Sequence, residues 1–268
     1  MQLLRLPTRR LIRVFLSGID AELLNPSIDA LAVDMRTKTM SAGDKAVKFE
    51  NGKPASLRRQ TTRPPTSTRE DWNRRYDAKQ FIWSVDPNKT LTAEVRDLAP
   101  GKALDLGAGE GRNAVWLAEQ GWTVHAVDFS EVAIEKGKQL VDVRKPSGRV
   151  TFEVADLRQY VPEPEKYDLV IMMFFHIAVD DMPSILLRAA QAVASGGTLV
   201  LIAHDSENLE HGFGGPQRAD MLYTADFVTS IISDELAIEK AMRVQRSVKR
   251  DGTGDKIAID CLVRAKRF

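Results

Sequence analysis

The chain has 268 residues, of which 43% are hydrophobic, and it carries a formal net charge of +1. This composition is typical of a globular protein, and the near-neutral charge disfavours a polyanionic partner. The single cysteine, Cys261, excludes an internal disulfide, and no apolar run approaches the roughly 18 residues that a membrane span needs. We therefore expect a cytoplasmic protein without a membrane partner.

The first 70 residues differ from the rest of the chain in net charge and in the pattern of apolar residues. They hold 13 lysines and arginines against 7 acids, whereas the remainder holds 25 against 30. Much of this stretch is polar, lacks apolar periodicity and contains a TRPPTST tract, which is typical of disorder. We predict a basic, disordered extension over residues 1–68 and one folded domain over residues 69–268. The arginine-rich start resembles a transit peptide or a surface-binding segment; the alternative, which we favour, is a true start downstream, for example at Met40.

From Asp71 onward the pattern predicts two short helices and then alternating strands and helices. In chain order they are helices within 69–79 and 88–98, strand 103–106, helix 113–120, strand 122–128, helix 131–143, strands 150–156 and 167–175, helix 183–194, strand 198–204 and helix 225–233. Ser130 and Thr224 are predicted N-caps, and Ser195-Gly196-Gly197 is predicted to end the helix before it.

Two further strand patterns, LAIEKAMRVQRSV and KIAIDCLVRAKRF, flank a KRDGTG turn near the C-terminus. They predict an antiparallel hairpin. Because the earlier strands alternate with helices, we expect a mostly parallel sheet that is covered by helices on both faces.

A glycine-rich loop follows the first strand in LDLGAGEGRNAVWLAEQGWTVHAVDFS, which runs from Leu104 to Ser130. Ligands of such sheets bind at the carboxyl ends of the strands, where glycines let the backbone approach them closely. The spacing is G-x-G-x-G, and Arg112 stands where a dinucleotide fingerprint has its third glycine. Glu110 adds a negative charge where a pyrophosphate would lie. The loop therefore favours a ligand with no phosphate and some positive charge.

S-adenosylmethionine has these properties, and residues 104–113 resemble the first motif of class I S-adenosylmethionine-dependent methyltransferases. WNRRYDAKQFIWSVDPN, followed by the glycine loop, is similar to the small-molecule group that includes tellurite-resistance and thiopurine-type methyltransferases. The resemblance covers about residues 70–268. It implies an α/β fold with a seven-stranded, mostly parallel Rossmann-like sheet, helices on both faces and a C-terminal antiparallel hairpin. It also implies S-adenosyl-L-methionine as cofactor and in-line methyl transfer to a small-molecule acceptor, and we predict no metal site.

The resemblance further implies a role for one residue at each successive strand end. Asp105 would face the methionine amino group, and Asp128 would accept hydrogen bonds from the two ribose hydroxyls. Phe129 would lie against adenine, Asp156 would accept from its amino group, and the backbone of Leu157 would read its edge. The methionine part would contact the glycine loop and the end of the fourth strand, namely Gly107, Ala108, Gly109, Gly111 and Met173.

Two histidines follow the fourth and fifth strands, His176 and His204. Either is a candidate to orient or deprotonate the acceptor, and the alternative is that each satisfies backbone groups or caps a helix. The segment 204–227 is long and rich in glycine and aromatic residues, which predicts a lid with Phe213 and Tyr223 facing the substrate.

Aromatic residues also precede the first strand, where similar enzymes fold a segment over cofactor and substrate. Trp83 is the substrate-binding candidate among them, together with Phe81. For Trp72 and Tyr76, which lie four residues apart, packing against the sheet is the stronger alternative.

The acceptor class follows mainly from what the sequence lacks. The domain is acidic and has Met173-Phe174-Phe175-His176 instead of an Asn-Pro-Pro-aromatic motif after the fourth strand, which disfavours nucleic acid. A small molecule is expected, such as a thiol or a chalcogen oxyanion by family analogy. Two other functions stay open, an NAD(P)-dependent oxidoreductase and a non-catalytic S-adenosylmethionine-binding module. The oligomeric state stays open as well.

Overall fold

The structure is a computed structural model that describes residues 68–78, 80–248 and 255–268. The predicted basic extension lies outside the described residues except for Thr68. Nowhere in the described part does a helix combine the length and the apolarity that crossing a membrane requires.

Seven strands of the described chain form one sheet. They are β1 (Lys102–Leu106), β2 (Thr123–Asp128), β3 (Val150–Val154), β4 (Tyr167–Met173), β5 (Val193–His204), β6 (Ala237–Val248) and β7 (Lys256–Lys266). Their order across the sheet is β3-β2-β1-β4-β5-β7-β6. β1 to β5 pair in parallel, whereas β7 is antiparallel to both β5 and β6. The predicted seven-stranded fold with its C-terminal hairpin is confirmed.

Most helices of the described residues begin and end close to their predicted bounds. The described helices are α1 (Arg69–Tyr76), α2 (Lys89–Glu94), α3 (Arg112–Glu119), α4 (Glu131–Arg144), α5 (Met182–Gln191), α6 (Asn208–His211) and α7 (Ala225–Ile232), with a 3-10 turn at Ala219–Met221. However, α2 ends four residues early and α6 was not predicted. Both predicted N-caps are confirmed, because the Ser130 hydroxyl accepts from the N–H of Ala133 and the Thr224 hydroxyl from the N–H of Phe227.

Two apolar cores cover the two faces of the sheet. Successive side chains of a strand point to opposite faces, so Leu104 and Leu106 join the core under α5 and α7, while Ala103 joins the core under α2 and α3. Asp105 shares the alternation of Ala103 and therefore lies on the face that α3 covers. This placement brings a buried carboxylate beside the start of α3.

The predicted boundary between α5 and β5 is wrong. Ser195, Gly196 and Gly197 belong to β5 rather than to the end of the helix. The Gly196 N–H donates to the carbonyl of Arg267, and the Arg267 N–H donates to the carbonyl of Gly197. A Cβ at Gly197 would lie 2.9 Å from the carbonyl oxygens of Ala194 and Tyr167. The glycines are thus needed for close strand pairing at an irregular point of the sheet.

The C-terminal hairpin extends past the carboxyl edge of the parallel strands. β5 ends at His204, which is paired with Asp260 of β7. Pairing between β6 and β7 continues from there as far as Val248 and Lys256. Four more residues of each strand add about 13 Å at 3.3 Å per residue, so the hairpin stands as a wall at that edge.

Candidate functional site

A cleft opens at the carboxyl ends of β1, β2 and β4. One part of its wall, here called the β2–β3 side, consists of Asp128, Phe129 and residues 155–158. The other, here called the β4 side, consists of Gly107, residues 174–177 and Met221, and α1 contributes Trp72 and Tyr76.

The glycine loop 107–111 is fixed to the end of β2. The N–H groups of Gly107 and Ala108 donate to the carbonyl of Val127 over 2.8 and 3.0 Å. Gly107, Gly109 and Gly111 have φ values of 77°, 55° and 77°, which favour glycine. A Cβ at Gly107 would lie 2.8 Å from the Phe175 ring. Glycine is required here by the backbone conformation and by a side chain packed on the loop.

Asp128 ends β2 and lines the cleft. Its Oδ2 accepts from the Gly109 N–H over 2.8 Å, and its Oδ1 accepts from the Ser130 N–H over 2.9 Å. Burial raises the pKa of this carboxyl, and the two N–H groups oppose the rise. Each carboxylate oxygen can accept a second hydrogen bond, so Asp128 can hold two neighbouring hydroxyl groups from a fixed position.

Asp105 is fully buried, and neither carboxylate oxygen has a hydrogen-bond partner in the described part of the chain. Burial, followed by the charge of Asp128, raises its pKa to about 7. Buried polar atoms are almost always hydrogen-bonded, and an orphaned carboxylate indicates a missing donor. A bound ammonium group meets that need.

Asp156 and Arg158 form a bidentate ion pair on the β2–β3 side. The Arg158 Nη2 lies 2.5 Å from the Asp156 Oδ2, and hydrogen bonds from Arg158 lower the pKa of the carboxyl. Any amino group that approaches Asp156 must share it with this guanidinium. Leu157 completes the wall, and its carbonyl already accepts from Arg188 Nη2 over 2.7 Å.

Glu110 does not face the cleft, contrary to the sequence argument about a pyrophosphate. It is 4% exposed, and its carboxylate accepts from the N–H groups of Ile82 and Trp83 at 3.0–3.2 Å. Lys136 Nζ lies 3.2 Å away and neutralises it. Glu110 thus anchors the segment after α1 onto the glycine loop, and its charge carries no information about the ligand.

His176 contributes a ring face to the β4 side but has no free ring nitrogen. Its Nδ1 lies 2.9 Å from the carbonyl of Met221, and its Nε2 lies 3.4 Å from the backbone nitrogen of His204. The tautomer that satisfies both contacts carries its proton on Nδ1. Burial and the neighbouring His204 lower its pKa to about 4. The geometry therefore favours the alternative role, in which His176 satisfies backbone groups.

His204 lies one layer behind the cleft wall. Its ring is 5.4 Å from the ring of His176 and 5.1 Å from that of Phe174, both of which line the cleft. Its Nδ1 is 3.0 Å from the Oδ1 of the fully buried Asp260, whose other oxygen accepts from Arg246. The Arg246 guanidinium lies 5.0 Å from the Phe174 ring centroid. His204 thus supports Phe174 from behind.

Four further candidates lie outside the cleft wall, as do Asp105, Ala108, Gly109 and Gly111 of the first strand and its loop. Tyr223 is 1% exposed, and its hydroxyl accepts from the Ile177 N–H over 2.7 Å and donates to the Ile177 carbonyl. Met173 packs in the core under α3. Trp83 is 43% exposed and lies under the Arg75 guanidinium, and Phe213 does not reach the wall either.

Several wall residues were not singled out from the sequence. Phe174, Phe175, Ile177, Met221 and Arg158 line the cleft, and Phe174 has an unusual φ of 54°. Residues 174–177 directly follow β4, which ends at the same edge of the sheet as β1 and β2. That position alone could have predicted that they line the cleft. Nothing local distinguishes Met221, which lies in the predicted lid.

Residues 103–197 match the family model described as "Methyltransferase domain". This segment holds the glycine loop, Asp128, Asp156 and most of the cleft wall. The segment is therefore similar to methyltransferase domains that use S-adenosylmethionine. The orphaned Asp105 carboxylate suits the ammonium group of that cofactor.

Curated relatives of this methyltransferase domain act on different acceptors. The 2-heptyl-1-hydroxyquinolin-4(1H)-one methyltransferase of Mycobacteroides abscessus is 27% identical over 118 residues, which are 43% of this chain and 52% of that protein. The tRNA 5-carboxymethoxyuridine methyltransferase of Escherichia coli is 27% identical over 139 residues, which are 49% of this chain and 50% of that protein. The chain thus spans about half the length of these curated relatives.

Solved structures share the fold of the methyltransferase domain. TehB from Haemophilus influenzae aligns with a TM-score of 0.56 and 16% identity, covering 75% of this chain and 67% of that one. A structure from work on the conversion of a disulfide bond into a thioacetal group during echinomycin biosynthesis aligns with a TM-score of 0.55 and 22% identity, covering 69% of this chain and 84% of that one.

Proposed function

We propose that this chain transfers the methyl group of S-adenosylmethionine to a small-molecule acceptor. The observation that carries the proposal is the orphaned, fully buried carboxylate of Asp105. It lies two residues before Gly107, which lines the cleft, and Asp128 accepts a hydrogen bond from the Gly109 N–H of the glycine loop. Together they suit a cationic amino acid group joined to a ribose.

The chain's own residues suit the three parts of the cofactor. Asp128 would accept from the ribose hydroxyls, and Phe129 and Leu157 would enclose adenine together with Asp156. Gly107, Ala108, Gly109 and Gly111 would support the methionine part with backbone. When bound, the cofactor supplies a methyl carbon that is activated by a sulfonium. Ile82 and Trp83 are held by Glu110, which keeps the segment after α1 close to that site.

The composition of the β4 side favours a methyl acceptor whose nucleophilic atom needs no general base to remove its proton. Its wall is mainly apolar and aromatic, with Phe174, Phe175, Ile177 and Met221. Within the described residues, no wall side chain of the β4 side offers a free basic nitrogen, because both ring nitrogens of His176 are engaged. The protein would act by aligning the reactants and excluding water. We infer an acceptor whose nucleophile is ionised or soft near neutral pH, such as a thiol or an acidic hydroxyl.

His204 retains a catalytic role in this proposal only through movement. For its ring to reach an acceptor, Phe174 would have to swing aside. Asp260, whose carboxylate lies 3.0 Å from Nδ1, would then orient the imidazole. The finer assignment to the tellurite-resistance and thiopurine-type group is also part of the proposal, and the similarity to TehB, at 16% identity, concerns the fold alone.

Calorimetric titration of the full chain tests the cofactor. We expect S-adenosylhomocysteine to bind and NADH not to bind, and the reverse result would establish the oxidoreductase alternative. A methyl-transfer screen then tests the acceptor by release of S-adenosylhomocysteine over thiols, phenols, oxyanions and unmodified tRNA. Turnover with tRNA alone would overturn the small-molecule acceptor, and cofactor binding without turnover of any acceptor would favour the binding-module alternative.

A further inference from the structure

Phe174 is the first residue after β4, and its ring lies between the cleft and the C-terminal hairpin. It lines the cleft. The same ring is 5.1 Å from the ring of His204 at the end of β5, and the Arg246 guanidinium of β6 lies 5.0 Å from its centroid. The acceptor part of the cleft and the hairpin thus meet at this one side chain.

The backbone of Phe174 adopts a conformation that a bulky residue rarely takes. Its φ of 54° lies in the left-handed region, which is unusual for a large side chain. The Phe174 N–H nevertheless donates to the carbonyl of Ile202 over 2.7 Å, which ties the residue to β5. Such conformations persist only where the surrounding structure fixes them, and they concentrate at ligand sites. We therefore expect the neighbours of this ring to hold it in place.

One buried carboxylate holds both residues that contact the ring from the hairpin side. Asp260 is fully buried; its Oδ2 accepts from Arg246 Nε over 2.8 Å, and its Oδ1 lies 3.0 Å from His204 Nδ1. Burial raises the pKa of Asp260, but its contacts with His204 and Arg246 outweigh burial and bring the pKa below its usual value. Asp260 therefore stays ionised near neutral pH. It keeps the guanidinium over the ring, where a cation is attracted to the aromatic face.

Arg243 makes the same kind of ion pair as Arg246, but on the opposite face of the hairpin. Its Nε lies 2.8 Å from the Oδ1 of Asp205, which is fully buried as Asp260 is. The two arginines are three residues apart in a regularly paired part of β6, so their side chains point to opposite faces of the sheet. Within the described residues, Arg246 lies over an aromatic ring and Arg243 does not. Neutralising a buried aspartate therefore does not require the ring contact.

The groups on the two sides of the Phe174 ring differ in kind. On the cleft side its neighbours in the wall include Phe175, Ile177 and Met221. On the hairpin side are an imidazole, a carboxylate and a guanidinium that already pair with one another. An acceptor that displaced the ring would have to enter this layer and desolvate charged groups, which is unfavourable. The ring therefore forms a firm boundary of the acceptor part of the cleft.

We propose that Phe174 limits the size of the methyl acceptor and that Arg246 is a positioning residue that holds the Phe174 ring at the cleft. This inference rests on the proposed function, because it concerns the acceptor part of the same site. It gives the C-terminal hairpin an influence on acceptor choice, although no described residue of β6 or β7 lines the cleft.

Three arenethiols of increasing width test the size limit, namely thiophenol, naphthalene-2-thiol and anthracene-2-thiol. Their affinities are measured by calorimetric titration of the full chain saturated with S-adenosylhomocysteine, so that no methyl transfer takes place. For the wild type we expect the affinity to fall from the narrowest thiol to the widest. Phe174→Ala should raise the affinity for the widest thiol, relative to thiophenol, by about tenfold or more. Phe174→Leu, which removes less of the side chain, should raise this ratio less.

The positioning role is tested with matched variants of the two hairpin arginines. Arg246→Met should raise the same ratio by about three- to tenfold, because the ring loses its cation and can move. Arg246→Lys, which keeps a cation, should stay closer to the wild-type ratio. Arg243→Met also leaves a fully buried aspartate without its arginine but removes no ring contact, so the ratio should stay within about twofold of the wild type.

Two further measurements support the titrations. Crystal structures of Arg246→Met and Arg243→Met with S-adenosylhomocysteine should show a displaced Phe174 ring in the first variant alone. Circular dichroism and thermal unfolding establish that each variant folds.

Each result decides the inference. A ratio that Phe174→Ala leaves unchanged, or a failure of the wild type and of Phe174→Ala to bind any of the thiols, would overturn the size limit. Equal changes for Arg246→Met and Arg243→Met, or a ring that stays in place in Arg246→Met, would overturn the positioning role. A wild-type chain that fails to bind S-adenosylhomocysteine would overturn the proposed function itself, which is a separate outcome.

Discussion

The two sides of the cleft are built in different ways. The β2–β3 side consists of residues that directly follow two neighbouring strands, and Asp128 is bonded to the glycine loop through backbone N–H groups. The β4 side depends on side chains far apart in the sequence, because Ile177 is held by Tyr223, and Phe174 rests on His204 and Arg246. The difference teaches that the proposed cofactor contacts depend on neighbouring residues, while the proposed acceptor wall depends on contacts between distant parts of the chain. Substitutions on the β2–β3 side should therefore change the affinity for the cofactor, and substitutions on the β4 side should change the affinity for the acceptor.

The largest effect is expected for Asp128→Ala. The variant loses the proposed ribose acceptors and frees the N–H groups of Gly109 and Ser130, which together shape the loop. We expect the affinity for S-adenosylhomocysteine to fall about 100-fold or more. Calorimetric titration measures the change, and unchanged binding would show that the ribose contact is placed wrongly.

A pH dependence should follow from Asp105. Its pKa of about 7 means that it is mostly protonated below that pH, whereas an ammonium group prefers the ionised form. The affinity for S-adenosylhomocysteine should therefore rise about tenfold per pH unit at pH values below the pKa, and level off above it. Titrations over a series of pH values test this, and Asp105→Asn should give a flat profile. A wild-type profile as flat as that of the variant would refute the contact.

A smaller effect, confined to the acceptor side, is expected for Tyr223→Phe. Without the hydroxyl, the N–H and the carbonyl of the half-buried Ile177 lose their partner, which costs about 1–3 kcal/mol of the free energy of unfolding. The acceptor KM should rise while the affinity for S-adenosylhomocysteine stays unchanged. Tyr160→Phe, at a tyrosine outside the cleft wall, serves as the control. Equal weakening of cofactor binding would break the division between the two sides.

Deletion of residues 1–60 should have the smallest effect. If the basic segment is an extension, as the sequence predicts, the deleted chain should bind S-adenosylhomocysteine as the full chain does. Titration of both proteins tests this, and loss of binding would place the segment within the domain.

Local patterns predicted the fold, and they predicted the positions of Asp128 and Asp156 at the cleft, but not those of Met173 and His204. Ser130 and Thr224 cap helices because capping involves only neighbouring residues. Asp128 and Asp156 line the cleft because parallel strands bring their carboxyl ends to one edge. The alternation of strands and helices was sufficient to place both at that edge.

Tertiary partners account for what the sequence did not predict. Glu110 resembles a ligand-facing acid until its contacts with Lys136 and the Ile82 N–H are known. His176 resembles a catalytic base, yet backbone atoms of His204 and Met221, which are distant in the chain, engage both of its nitrogens. Contacts between residues that are distant in the chain produce no periodic pattern in the sequence, so they cannot be predicted from such patterns.

The position of β7 has a consequence for the order in which the sheet can form. β6 precedes β7 in the chain but reaches the sheet only through it, because β7 lies between β5 and β6. β6 therefore cannot pair with the sheet, and His204 cannot contact Asp260, until β7 is in place beside β5.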